Sequence, residues 1–300
     1  MKDRFYQILI SLSQGLGFWL FRVVAWGIAT GYFVLCPARV TTSVLFYRAL
    51  YPSRRWPYHL YGAWKQFHRF TDVFLDRFLM STGHPMQFTH EGWVYLEEAV
   101  KNRTGAILLM SHLGTWELAA HQLLKVGDGN VSGMKLLLYM GRKDKEQIEG
   151  RQKDELAARG IRIIAVDRHS TAPLDIMEGI KFLKEGGLVS LTGDRRWREE
   201  QRVVKVNFLG HEALIPEGPF VFALLAHAPL LVFFSHRTGK YTYHSRALPP
   251  LYVEVKNRQD RQRVIAQVAQ YYADALAEAV RLHPWEWFHF EPFIGRRIEP

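Results

Sequence analysis

One stretch constrains this chain more than any other. From Tyr6 to Cys36 it reads YQILISLSQGLGFWLFRVVAWGIATGYFVLC, nearly all apolar, with Arg22 as its only charged residue. A transmembrane helix needs about 20 apolar residues, and either side of Arg22 is shorter than that. One tilted span and a deeply seated interfacial helix are both open. The run is long for a secretory signal, no small-x-small cleavage site follows it, and Pro37 begins a strongly basic region. Residues 1–38 are therefore expected to anchor the chain to a membrane.

Next comes PARVTTSVLFYRALYPSRRWPYHLYGAWKQFHRF, in which Arg39, Arg48, Arg54, Arg55 and Lys65 alternate with Trp56, Tyr58, Tyr61 and Trp64. Rings at headgroup depth and cations facing anionic lipid suit an interface. A helical hairpin that packs the same rings into a core is an equal alternative, and both can hold for different residues. Residues 39–90 are read as a helical interfacial segment of a larger domain, 39–300.

That domain has the pattern of an α/β fold. Buried-strand runs occur at 106–110, 135–140, 161–166, 188–192 and 229–235, with helix candidates at about 115–126, 144–159, 172–185, 217–227 and 258–282. Hydrophobic residues make up 48% of the chain, enough for a core, which excludes a disordered protein. The net charge of +10 favours anionic partners: membrane surfaces, phosphorylated lipids or acidic carrier proteins. Basic residues spread along a chain with an apolar anchor, without a nucleic-acid-binding motif, argue against nucleic acid. The single cysteine, Cys36, has no partner for an intrachain disulfide.

The chemistry concentrates at Ser111-His112-Leu113-Gly114-Thr115-Trp116-Glu117, directly after the first strand of the core. The ends of strands are where open α/β sheets place their sites. With His112 in the turn and Glu117 one turn inside the next helix, the carboxylate can fold back toward the imidazole. A neutral imidazole can take a proton from an attacking hydroxyl while a carboxylate fixes its tautomer. Taken alone, the spacing His-x-x-x-x-Glu is a weak signal; its strand–turn–helix setting raises its weight. No metal-ligand spacing, Gly-x-Ser-x-Gly elbow or glycine-rich phosphate loop accompanies it, so no catalytic metal or other cofactor is expected. Two basic clusters, Arg142 with Lys143 and Lys145, and Arg195 with Arg196, Arg198, Arg202 and Lys205, follow strand ends and are candidates to bind an anionic substrate.

These residues resemble the lipid A biosynthesis acyltransferases, within the lysophospholipid acyltransferase superfamily. The resemblance extends over most of the chain: the N-terminal anchor, SHLGTWE at 111–117, YMGRKD at 139–144, GDRRW at 193–197, NFLGHEALIPEGP at 207–219 and HPWEWFHF at 283–290. It implies a central mixed sheet flanked by helices, on a bacterial inner membrane with the active side in the cytoplasm. It also implies acyl transfer from acyl carrier protein or coenzyme A, co-substrates rather than cofactors, to a lipid hydroxyl. His112 would be the base and Glu117 its support, with Arg142 and Asp194 positioning substrate or stabilising an oxyanion. The chain departs from the family pattern at Tyr139-Met140-Gly141-Arg142, where Tyr-Arg-Pro is common, and at Asp194-Arg195. The acceptor is thus left open between a lipid A precursor and a lysophospholipid-like molecule. A thioesterase or lipid hydrolase using the same dyad, and a non-catalytic lipid-binding membrane protein, are the competing expectations.

Overall fold

Alternate residues along the buried strands point to opposite faces, and that parity divides the core. The computed structural model describes residues 15, 17–115, 118, 120, 123, 134–141, 156–158, 160–166, 173–196 and 200–298. Within them, the strands are β1 (Gln87–Glu91), β2 (Ala106–Met110), β3 (Leu136–Gly141), β4 (Arg162–Val166), β5 (Leu188–Thr192), β6 (Val203–Phe208), β7 (His211–Pro216), β8 (Leu230–Gly239) and β9 (Thr242–Ala247). The helices are α1 (Phe18–Leu35), α2 (Pro37–Leu50), α3 (Trp56–Ser81), α4 (Trp93–Lys101), α5 (Pro173–Lys184), α6 (Gly218–Ala226) and α7 (Arg261–Leu282).

Seven strands form one sheet in the order β1-β9-β8-β2-β5-β3-β4, parallel except for the β8–β9 pair, while β6 and β7 make a separate hairpin. The strand β2, AILLM, is buried at every position and has parallel neighbours on both sides, as continuous apolar runs require. Ile107, Leu109, Val189 and Val232 face one layer, with α5, α6, α7 and the β6–β7 hairpin. Leu108, Met110, Leu188 and Phe233 face the other, with α4. The helix α7 buries Ile265, Ala269, Tyr272, Ala273, Leu276 and Val280, one face at helical spacing.

The five strand runs read from the sequence are all present, as are the helices at 173–184, 218–226 and 261–282. The helix candidates at 115–126 and 144–159 fall largely outside the described residues. The helical segment expected to reach residue 90 stops at Ser81, and Gln87–Glu91 is an edge strand instead. Four of its five residues are exposed, so no alternation of burial marks it; pairing with β9 makes it a strand. The rings of the aromatic segment divide by burial, with Tyr58 and Trp64 half-buried. Phe46 and Tyr47 of α2 are buried in the core, whereas Trp56 and Tyr61 of α3 are exposed. The two helices meet closely at Gly62, where an added Cβ would lie 2.6 Å from the Tyr47 ring.

Candidate active site

The neighbouring strands β2 and β5 bring the central pair together. Met110 lies opposite Thr192 in parallel register, so His112 and Asp194, each two residues further on, leave the sheet side by side. The Gly193 N–H donates to the Met110 carbonyl at 2.8 Å and the Tyr272 hydroxyl to the same oxygen at 3.0 Å, which pins the two strand ends together.

The carboxylate of Asp194 is buried and fully engaged. Its Oδ1 lies 2.8 Å from His112 Nδ1. Its Oδ2 accepts from the His112 backbone N–H at 2.8 Å and from the Trp287 indole N–H at 2.9 Å. Burial alone would raise its pKa, but the adjoining His112 and the hydrogen bonds outweigh burial and hold Asp194 well below the usual carboxylate range. An ionised carboxylate on Nδ1 places the imidazole proton there and leaves the Nε2 lone pair facing outward. The His112 side chain retains 24% of its exposure, so Nε2 is reachable.

The C-terminal segment after α7 wraps the turn. The Phe288 N–H donates to the His112 carbonyl at 2.8 Å, and the Gly114 N–H donates to the Glu286 carbonyl at 2.7 Å. Gly114 has φ of 70°, and a Cβ there would meet the Ser235 carbonyl oxygen at 1.9 Å, so only glycine lets the turn approach β8. The ring of His289 lies 5.7 Å from that of His112 and stacks on Trp287. Burial pushes the His289 pKa down to about 4, keeping it neutral beside the pair.

On the solvent side, Arg195 Nη1 lies 3.5 Å from His112 Nε2, and the same guanidinium grips the Glu291 carboxylate through two nitrogens. A cation is thereby held beside His112 Nε2. Beside the turn, a polar cleft between α3 and the C-terminal segment is lined by Arg69, Asp76, Thr115, Arg237, Glu286 and Phe288.

Of the residues singled out in the sequence, His112, Asp194 and Arg195 converge. Glu117 and Arg142 lie outside the described residues. The carboxylate on His112 Nδ1 among the described residues is that of Asp194. Trp287, His289 and Glu291 were not singled out as site residues. Their signal is the density of aromatic and polar residues in HPWEWFHFEP.

A family model described as bacterial lipid A biosynthesis acyltransferase matches residues 81–293, more than two thirds of the chain, including every residue of this cluster. No curated protein matches it.

Proposed function

Since the chain belongs to the bacterial lipid A biosynthesis acyltransferase family, we propose that His112 Nε2 is the general base of its acyl transfer. The acceptor is a hydroxyl of a lipid A precursor or a related lysophospholipid-like molecule. The donor is a fatty acyl thioester of acyl carrier protein or coenzyme A. Nε2 takes the hydroxyl proton as the oxygen attacks the thioester carbonyl; the tetrahedral adduct then collapses, the C–S bond breaks, and the imidazolium returns the proton to the thiolate. An ester and a free thiol result, without a covalent enzyme intermediate.

The observation that carries this reading is the buried, ionised Asp194 on Nδ1, which fixes the tautomer and stabilises the imidazolium that forms. Asp194 thus takes the supporting role assigned to Glu117 from the motif. Glu117 is retained in the proposal as a second acidic group, tested by Glu117→Gln. Arg195, next to Nε2, is the candidate to face the developing oxyanion or an anionic part of the substrate. Arg142 is proposed to bind substrate with it. Residues 1–38 anchor the enzyme, with 39–300 as the catalytic domain, at the cytoplasmic face of the inner membrane, where both thioester donors occur.

The test is mass spectrometry of membrane lipids from cells making the intact chain, His112→Ala, or neither. One lipid should gain a single acyl chain with the intact chain alone, and its mass identifies acceptor and chain length. Released fatty acid without an acylated lipid would mean hydrolysis instead, and identical profiles would overturn the assignment of His112.

A further inference from the structure

Resting on the membrane-bound reading above, the geometry points to α1 as a helix lying in the plane of an anionic bilayer surface rather than crossing it. Length and composition alone permit a crossing, since α1 has 18 residues and a mean hydropathy of 1.5. Its packing does not.

The helix α1 runs antiparallel along α3 over nearly its whole length. Phe18 and Phe21 meet Phe78 at 5.7 and 5.8 Å between ring centroids. Further along, Arg22 approaches Asp72 at 4.0 Å, Trp26 meets His68 at 4.9 Å and Trp64 at 5.8 Å, and Thr30 Oγ1 lies 3.0 Å from His68 Nε2. Phe33 closes the series against Phe67 at 5.4 Å.

The opposite side of α3 is fixed to the catalytic domain. Phe67 packs on Phe290 and Phe70 on Phe288, Gln66 donates to the Trp287 carbonyl, and the buried Asp76 pairs with Arg237 of β8. A crossing α1 would therefore carry α3 into the hydrocarbon, with Lys65, Arg69, Asp72, Asp76 and Arg77 and the sheet edge behind them. Charges at that depth carry a heavy free-energy cost. At its other end α1 is joined through Cys36 alone to α2, whose Phe46 and Tyr47 are already in the domain core.

The outward side of this plate has the chemistry of a bilayer interface. Among the described residues, eleven of the 19 exposed large apolar side chains lie between Trp19 and Tyr61, among them Trp19, Trp26, Tyr32 and Trp56. Residues 15–71 contain seven arginines and lysines and no aspartate or glutamate, and of the seven only Arg22 and Arg69 pair with the adjoining Asp72. Amphipathic rings and an excess of cations together select anionic phospholipid. The segment bearing His289 and Glu291 packs on the inner side of α3, so the in-plane arrangement sets the candidate site one helix layer from the lipid.

The full chain, reconstituted in phosphatidylethanolamine/phosphatidylglycerol vesicles, tests this by spin-label depth measurement. Single labels are placed at Trp19→Cys, Val23→Cys, Gly27→Cys and Val34→Cys, each with Cys36→Ser. These positions follow the outward side of α1, and a side chain at Gly27 meets nothing within 4 Å. An in-plane helix gives all four labels similar shallow depths, roughly 5–10 Å below the headgroups. A label at position 27 near the bilayer centre, with positions 19 and 34 near opposite surfaces, would overturn the in-plane inference and leave membrane binding intact. A chain that fails to float with the vesicles would overturn the membrane reading and this inference with it.

Discussion

Two aspartates, one on each side of the His112 turn, are buried almost equally and behave oppositely. Asp194 and Asp76 each have 1% residual exposure, and each touches a cationic or ionisable partner. At Asp194 both oxygens are occupied by three N–H groups, and the carboxylate is held ionised. At Asp76 one oxygen meets Arg237, Oδ2 has no hydrogen-bond partner, and burial pushes the pKa up to about 6 despite the guanidinium and the Tyr243 hydroxyl. The difference teaches that a buried carboxylate with one oxygen left unpartnered is not relieved of its desolvation by a guanidinium, whereas an adjoining imidazole together with filled lone pairs relieves it. Asp194 is built to keep a fixed charge on His112. Asp76 belongs to a cleft that can change its protonation, since burial also pushes neighbouring Glu286 up to about 7.

The sharpest attack on this contrast removes the charge of Asp194 and keeps its shape. In Asp194→Asn the amide cannot hold His112 in the same tautomer, and turnover should fall by about 10³–10⁴-fold with the fold retained. Turnover within tenfold of the parent, measured with an acyl thioester and its lipid acceptor, would strip Asp194 of its role. Next in size is the other aspartate. Arg237→Met leaves Asp76 buried without its cation and should cost about 3–5 kcal/mol, whereas Asp76→Leu with Arg237→Met should cost clearly less. A double-mutant cycle by denaturant unfolding decides it: additive losses would mean that the pair is not coupled, and the contrast with Asp194 would lose its energetic basis.

These cases also mark what the sequence made legible. The runs AILLM and LVSLT read as strands because both faces are covered, and apolar continuity records that. His112 and Asp194 were both singled out, since each follows such a run. Their partnership was not legible, because it depends on β2 and β5 being neighbours although residues 136–166 contribute two other strands between them in the chain. The nearby acid in sequence, Glu117, was legible from the motif, whereas the contact of the distant Asp194 with His112 comes from the sheet order. The edge strand β1 left little trace, because an edge is defined by backbone pairing more than by side chains. The part of Trp287 is not legible for a related reason: its indole N–H reaches Asp194 from the far end of the chain.

The smallest change bears on how the Asp194 charge is maintained. Trp287 is fully buried between Phe46, Phe208 and Phe293, and only its N–H reaches Oδ2. Trp287→Phe preserves an aromatic ring in that nest and removes one donor to a charged acceptor, at a cost of about 1.5–3 kcal/mol for a hydrogen bond of this kind. The sign of the pH effect follows from linkage. A carboxylate whose folded pKa is depressed adds stability that is present above its unfolded value, about 3.9, and is lost as pH falls toward the folded value. With one donor fewer, the folded pKa of Asp194 rises toward the unfolded one, so the stability it adds near neutral pH shrinks and less is lost on acidification. Unfolding free energies of parent and variant, measured from pH 6 down to pH 2, should therefore differ most at the upper end and converge at the lower. A constant gap across that range would assign Trp287 to packing alone and leave the two His112 contacts to keep Asp194 ionised.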